Sequence, residues 1–217
     1  MRTPEQVQAI IEGLEREYPL AECTLNYDEA WQLLVSVRLA AQCTDERVNQ
    51  VVPALFERYP NAEAMAKAAP EDIEPYIHSC GFFRGKARDI VGAARMLTDE
   101  FDGRVPDNMD DLLRLPGVGR KSANLILGDV YGIPGSVVVD THCIRLSNRM
   151  GLVDDMKDPP KIETALRAVL PPEKSNDFCH RLVLHGRAVC TARAPKCEAC
   201  CVKDVCRQYE KEHKEFT

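Results

Sequence analysis

Four cysteines close to the C-terminus carry the most pointed chemistry in the chain. Cys190, Cys197, Cys200 and Cys206 are separated by six, two and five residues, so four thiols fall within 17 positions. Thiolates that dense in one short segment make a ready site for a soft metal, because the ion deprotonates each thiol it binds. Two disulfides are the alternative, but nothing else in the chain has the cast of a secreted protein. Zinc and an iron–sulfur cluster both satisfy the donor chemistry. Four-cysteine zinc sites usually come as two CxxC pairs, and only one such pair is present. The uneven spacing suits a cubane cluster better. Cys201 stands beside Cys200, and spacing alone allows either as the third ligand.

A second reactive stretch runs Leu112 to Ala123, with the turn Pro116-Gly117-Val118-Gly119 followed by Arg120 and Lys121. Glycines there permit positive φ and close approach of the backbone to a ligand. The unpaired N–H groups at the start of the following helix form a natural phosphate site, able to grip a DNA backbone without reading its sequence. The Gly-x-Gly-Arg-Lys-Ser run is not a P-loop, which needs four residues between its glycines and a preceding strand. An ordinary helix–helix connection is the plain alternative. Lys121 falls in the first turn of the second helix, where the helix dipole and Arg120 both disfavour a positive charge. A partly neutral amine is what an imine-forming nucleophile requires; a solvated surface lysine is the competing reading.

Asp140 follows the apolar run Val137-Val138-Val139 and precedes Thr141 and His142 at a helix start. It reads as a helix N-cap. A carboxylate anchored by backbone N–H groups can also stabilise a developing cation, so the two roles coexist. His142 suits packing or phosphate contact as well as chemistry, and Trp31 reads as core.

The elements that must hold these residues are helical nearly throughout. Val7, Ile10, Ile11 and Leu14 recur at the spacing of a helix face turned to a core. Further helices are expected over 30–39, 48–59, 62–69, 86–101, 110–115, 121–131, 141–150, 160–169 and 175–189, with Pro60, Pro70, Pro75 and Gly81 as punctuation. Only residues 137–139 have strand character, too short to found a sheet. The expectation is an all-α protein. The 217 residues suffice for one large domain or two lobes, and the formal net charge of −6 argues mildly against a non-specific nucleic-acid binder. Local distribution weighs more: between Cys179 and Arg207, Arg181, Arg187, Arg193, Lys196, Lys203 and Arg207 face only Glu198 and Asp204, so a basic face on an acidic protein is expected. The other six cysteines read as reduced thiols of a cytosolic protein. Neither a signal peptide nor a stretch approaching ~18 apolar residues is visible, so no membrane partner is expected.

In this order, the elements resemble the endonuclease III family of DNA repair glycosylases, within the helix-hairpin-helix superfamily. Leu115-Pro-Gly-Val-Gly-Arg-Lys121, Val139-Asp140-Thr141-His142, Leu184-His185-Gly186-Arg187 and Cys-x6-Cys-x2-Cys-x5-Cys recur in the family's spacing, and Leu39-Ala-Ala-Gln-Cys-Thr-Asp45 resembles its Ser-Ala-Gln-x-Thr-Asp stretch. The resemblance spans about Leu33 to Cys206. It implies two α-helical lobes with a DNA-binding groove between them: a six-helix barrel over 24–134, with the hairpin at about 110–131, and a lobe of 1–23 plus 135–217 holding a [4Fe-4S] cluster. The implied ligands are Cys190, Cys197, Cys200 and Cys206, with Cys201 excluded and the cluster mainly structural, bracing a loop whose Arg193 and Lys196 meet phosphates.

The implied reaction removes a damaged pyrimidine flipped out of duplex DNA. Asp140 stabilises the oxocarbenium-like sugar, and Lys121 attacks C1′ to form a Schiff base, after which β-elimination cuts the strand 3′ to the lesion. Gly117, Gly119, Arg120 and His142 would contact DNA, Gln42 would fill the gap left by the flipped base, and Phe82 would be the wedge. The wedge is more often Leu or Ile in the family, and Leu113 and Arg114 stand where an acidic residue is frequent; both departures bear on lesion preference. The nearest rival is an adenine mismatch glycosylase, which usually lacks the lysine and carries a further C-terminal domain. A non-catalytic DNA-binding module is the rival from another class, countered by the joint presence of Lys121 and Asp140. The expected setting is a monomer acting on double-stranded DNA with damaged pyrimidines or abasic sites, cytoplasmic and associated with the nucleoid.

Overall fold

A computed structural model describes residues 2–214, and all regular structure among them is helical, with no strand. The chain divides into two compact units, Cys23–Tyr131 and the pair of segments Met1–Glu22 and Gly132–Thr217.

The first unit contains α2 (Ala30–Ala40), α3 (Asp45–Arg58), α4 (Ala62–Ala66), α5 (Pro70–Ile77), α6 (Phe83–Glu100), α7 (Met109–Arg114) and α8 (Arg120–Asp129). Helix α2 lies at its centre: Trp31, Leu33, Leu34, Val35 and Leu39 are buried, and α3, α6 and α8 pack around it. Trp31 is core as expected, its Nε1 donating to Glu29 Oε2 at 2.8 Å. Helix α5 occupies residues that the two prolines had marked as a break. Pro70 is at its first position, where the missing N–H is one of those left unpaired anyway, and Pro75 lies inside. The fully buried pair Ile73 and Ile77, four residues apart, supplies the packing that outweighs the bond Pro75 cannot make.

The second unit contains α1 (Pro4–Glu17), α9 (Thr141–Met150), α10 (Pro159–Val169), α11 (Ser175–Ala188) and α12 (Arg207–Lys214). Thr3 and Gln6 form a reciprocal capping box that starts α1, and Val7, Ile10, Ile11 and Leu14 bury its inner face. Helix α12 is absent from the expected set because it has no apolar stripe. It is held by polar contacts instead: Arg2 pairs bidentately with Glu210 at 2.8 and 3.0 Å, and Arg207 donates to the carbonyls of Asn148 and Val153 at 2.8 Å each. Residues 137–139 are a buried connector rather than a strand. Two members of the expected basic face are committed elsewhere. Arg181 is buried, donating from Nε to the Tyr18 carbonyl at 3.0 Å, and Arg207 ion-pairs with Asp154. No described helix is long and apolar enough to cross a membrane.

Candidate active site

In the first unit, α7 and α8 are joined by the turn Leu115 to Gly119. Asn108 caps α7, accepting from the Asp111 N–H at 3.0 Å, and the Val118 N–H closes the turn on the Leu115 carbonyl at 3.1 Å. Gly117 has φ +76°, a left-handed conformation that suits glycine. Gly119 is the N-cap of α8 and offers no side chain to its first-turn N–H groups. Those groups, with the helix dipole behind them, open on a surface where Gly117, Gly119, Arg120 and Lys121 are all exposed. The hairpin therefore gathers its four expected residues at one helix N-terminus.

Arg38 and Asp89 support this turn from beneath, and neither was marked by the sequence. Arg38 Nε donates to Asp89 Oδ2 at 2.7 Å, and Nη2 stands 2.6 Å from the same oxygen. A Cβ on Gly117 would meet Arg38 Cδ and Nε at 2.6 Å and Asp89 Cβ at 2.9 Å.

Gln42 and Phe82 share an unusual feature: both are exposed, non-glycine residues at positive φ, 57° and 47°. Phe82 leaves its ring 73% exposed. Such strain persists only where surrounding structure imposes it. Here the buried Lys86 imposes it, since its Nζ donates to the Leu39 carbonyl at 2.7 Å and to the Cys80 carbonyl at 2.9 Å, drawing together the segments that carry the two residues.

In the second unit Asp140 caps α9, its Oδ1 accepting from the Cys143 N–H at 2.7 Å, and is half-buried. His142 Nδ1 lies 3.1 Å from Arg145 Nη2, and Arg145 also donates to the carbonyls of Gly186 and Cys190. A Cβ on Gly186 would approach His142 Nδ1 to 2.4 Å, which accounts for glycine in the Leu184-His185-Gly186-Arg187 run.

Cys190, Cys197, Cys200 and Cys206 line one cavity, and Cys201 does not line it. Among the described residues, no group of three Cys, His, Asp or Glu side chains is placed to hold a metal ion. The donor set and that cavity fit a polynuclear cluster. Burial pushes the Cys197 and Cys206 thiols up from their ordinary range. Arg149 Nη1 donates to Cys190 Sγ at 3.4 Å and, with Nη2, to the carbonyls of Thr191 and Ala192, which braces the loop bearing the exposed Arg193 and Lys196. The Tyr18 hydroxyl lies 3.1 Å from His185 Nδ1, and His185 Nε2 lies 3.3 Å from Cys200 Sγ. Arg145, Arg149 and His185 were not marked as site residues. The i, i+4 spacing of Arg145 and Arg149 was the signal that both would face one segment.

An all-helical protein with an exposed glycine hairpin at a helix N-terminus, a lysine in that first turn and a four-thiol cavity is a helix-hairpin-helix DNA-binding protein in class. The chain belongs to the HhH-GPD superfamily of base excision DNA repair proteins, whose family profile matches residues 35–172. It is 50% identical to the endonuclease III of Synechocystis over 193 residues, covering 89% of this chain and 88% of that protein. The Escherichia coli endonuclease III is 36% identical, with 93% and 95% covered. Among solved structures, a trapped endonuclease III–DNA covalent intermediate superposes with a TM-score of 0.91 at 36% identity, over 98% of this chain and 99% of that one.

Proposed function

We propose that the chain is a bifunctional DNA glycosylase and abasic-site lyase of base excision repair that removes oxidised pyrimidines from double-stranded DNA. Its place among DNA glycosylases rests on the family and on the endonuclease III relatives. The observation that carries the bifunctional reading is the exposed Lys121 amine in the first turn of α8, on a hairpin suited to phosphate. That a relative has been captured covalently joined to DNA supports an amine nucleophile here.

In this mechanism Gly117, Gly119, Arg120, His142, Arg193 and Lys196 hold the DNA backbone, Phe82 enters the base stack and Gln42 takes the place of the extruded base. Asp140 faces the cationic sugar and accepts the proton that Lys121 sheds. The Nζ–C1′ bond forms as the C1′–N bond breaks, and the base leaves with its electron pair and a proton. Ring opening yields the imine. Loss of the C2′ proton expels the 3′ phosphate, and water then hydrolyses the imine to free Lys121. When bound, a [4Fe-4S] cluster on Cys190, Cys197, Cys200 and Cys206 supplies a cross-link that stiffens the Arg193–Lys196 loop. In this reading residues 24–134 form the barrel lobe and residues 1–23 with 135–217 the cluster lobe, and the enzyme works as a monomer in the cytoplasm at the nucleoid.

Borohydride trapping on a duplex with one thymine glycol tests the proposal, with wild type beside Lys121→Gln. The expected result is a covalent protein–DNA band for wild type only, while the variant still binds abasic DNA. Base release without a band would leave a monofunctional glycosylase; neither release nor band would leave a DNA-binding module.

A further inference from the structure

His185, in the last turn of α11, is fully buried and lines the cavity of the four cysteines. Both of its ring nitrogens have partners. Nε2 lies 3.3 Å from Cys200 Sγ, and Nδ1 lies 3.1 Å from the Tyr18 hydroxyl. Tyr18 ends α1, its carbonyl accepts from Arg181 Nε at 3.0 Å, and its ring meets the imidazole edge-on with 5.8 Å between centroids. The same helix presses on the segment that carries Cys200. A Cβ on Gly13 would stand 2.7 Å from Val202 Cγ1 and 3.2 Å from the Cys201 carbonyl oxygen. The mechanism proposed above uses neither Tyr18 nor His185.

We propose that Tyr18 and His185 are positioning residues for the cluster, a hydrogen-bonded chain from α1 that supplies an N–H to the Cys200 sulfur and sets how readily the cluster is oxidised. The direction of the chain follows from donor chemistry. A thiolate bound to iron has no proton and can only accept, so Nε2 carries the hydrogen. A neutral ring with its proton on Nε2 accepts at Nδ1, and the Tyr18 hydroxyl is the donor that meets it. The hydroxyl thereby selects the tautomer and holds the ring plane, and the ring in turn polarises the sulfur. An N–H directed at a ligand sulfur withdraws electron density from it, which favours reduction and raises the potential. Because the ring is shut off from water, the bond acts at the strength of a buried one. The inference rests on the [4Fe-4S] reading of the four cysteines, and the test separates the two.

The test compares the full chain, purified with its cluster, as wild type, Tyr18→Phe, His185→Gln, His185→Leu and Gly13→Ala. Iron content and visible absorbance are read first. The reduction potential by voltammetry on a carbon electrode and the rate of iron release to a chelator in air follow. His185→Leu is expected to lower the potential and to release iron about tenfold faster. Tyr18→Phe deletes one oxygen and keeps the ring contact, so the fold is kept and the potential falls by a smaller amount. His185→Gln offers an amide N–H near the place of Nε2 and is expected to recover most of the potential. Gly13→Ala crowds Val202 without touching the chain, so it is expected to hasten iron release at an unchanged potential.

A wild-type potential in His185→Leu overturns the inference, and a wild-type potential in Tyr18→Phe overturns the part given to the hydroxyl. It is also overturned if His185→Gln matches His185→Leu, or if Gly13→Ala shifts the potential as far, since packing alone would then set it. Where His185→Leu holds no iron, Tyr18→Phe decides: a lowered potential upholds the chain and a wild-type value overturns it. Wild type without iron and visible absorbance overturns the cluster reading, and the inference with it.

Discussion

Replacing Gly117 by alanine separates a hairpin built around a glycine from one that merely contains it. The φ of +76° costs an L residue about 1–2 kcal/mol. The new methyl carbon would stand 2.6 Å from two atoms of Arg38, so the guanidinium must leave Asp89. Losing that largely covered, charge-assisted pair adds about 1 kcal/mol. The expected total is about 2–3 kcal/mol, read as a lower denaturant midpoint. Gly119→Ala is the internal control: φ there is −103° and no atom lies within 4 Å of the added carbon. Its cost is confined to a poorer N-cap, about 0.5 kcal/mol. Gly119→Ala nevertheless sets a methyl group on the surface proposed for phosphate, so it loses affinity for abasic-analogue DNA while remaining nearly as stable as wild type. Urea denaturation and fluorescence anisotropy on both variants decide the matter. A Gly117→Ala midpoint matching wild type, or a Gly119→Ala protein less stable than Gly117→Ala, would refute the reasoning from backbone angle and contact.

Asp140→Asn keeps a side-chain acceptor for the Cys143 N–H and retains stability, whereas Asp140→Ala loses about 1 kcal/mol with the cap. Both variants are expected to lose the borohydride-trapped product, and a fully active Asp140→Asn would show that the charge is not used. Cys201→Ser is expected to retain visible absorbance and iron content and Cys200→Ser to lose both, since only Cys200 lines the thiol cavity; the reverse outcome reassigns the third ligand. Phe82→Ala removes a ring that is 73% exposed, so stability should stay within about 0.5 kcal/mol of wild type. Its affinity for lesion DNA is expected to fall by about 1 kcal/mol or more, the worth of one aromatic stack, and unchanged binding would dismiss the wedge.

What the sequence determined by itself is whatever local spacing can encode. The apolar period of Val7 to Leu14, the cap at Asp140, the glycine turn before Lys121 and four cysteines within 17 residues are each contained in one short segment, where 3.6-residue geometry and donor chemistry suffice. The helical class and most helix positions follow from the same rule. It failed at α5, where burial of Ile73 and Ile77 overrode proline punctuation, and at α12, which has no apolar face to announce it.

Only the tertiary structure decided which distant side chains meet. Arg38 and Asp89, 51 positions apart, pair beneath Gly117; Tyr18 and His185, 167 apart, reach Cys200; Lys86 joins the Gln42 and Phe82 segments. It also turned Arg181 inward from a face that charge counting had assigned to solvent, and it set Cys201 aside from the thiol cavity. The physical reason is common to these cases. A helix or turn is specified by neighbours along the chain, whereas a buried cation or thiol takes whatever acceptor the packed core brings within hydrogen-bonding distance, and that depends on every element at once.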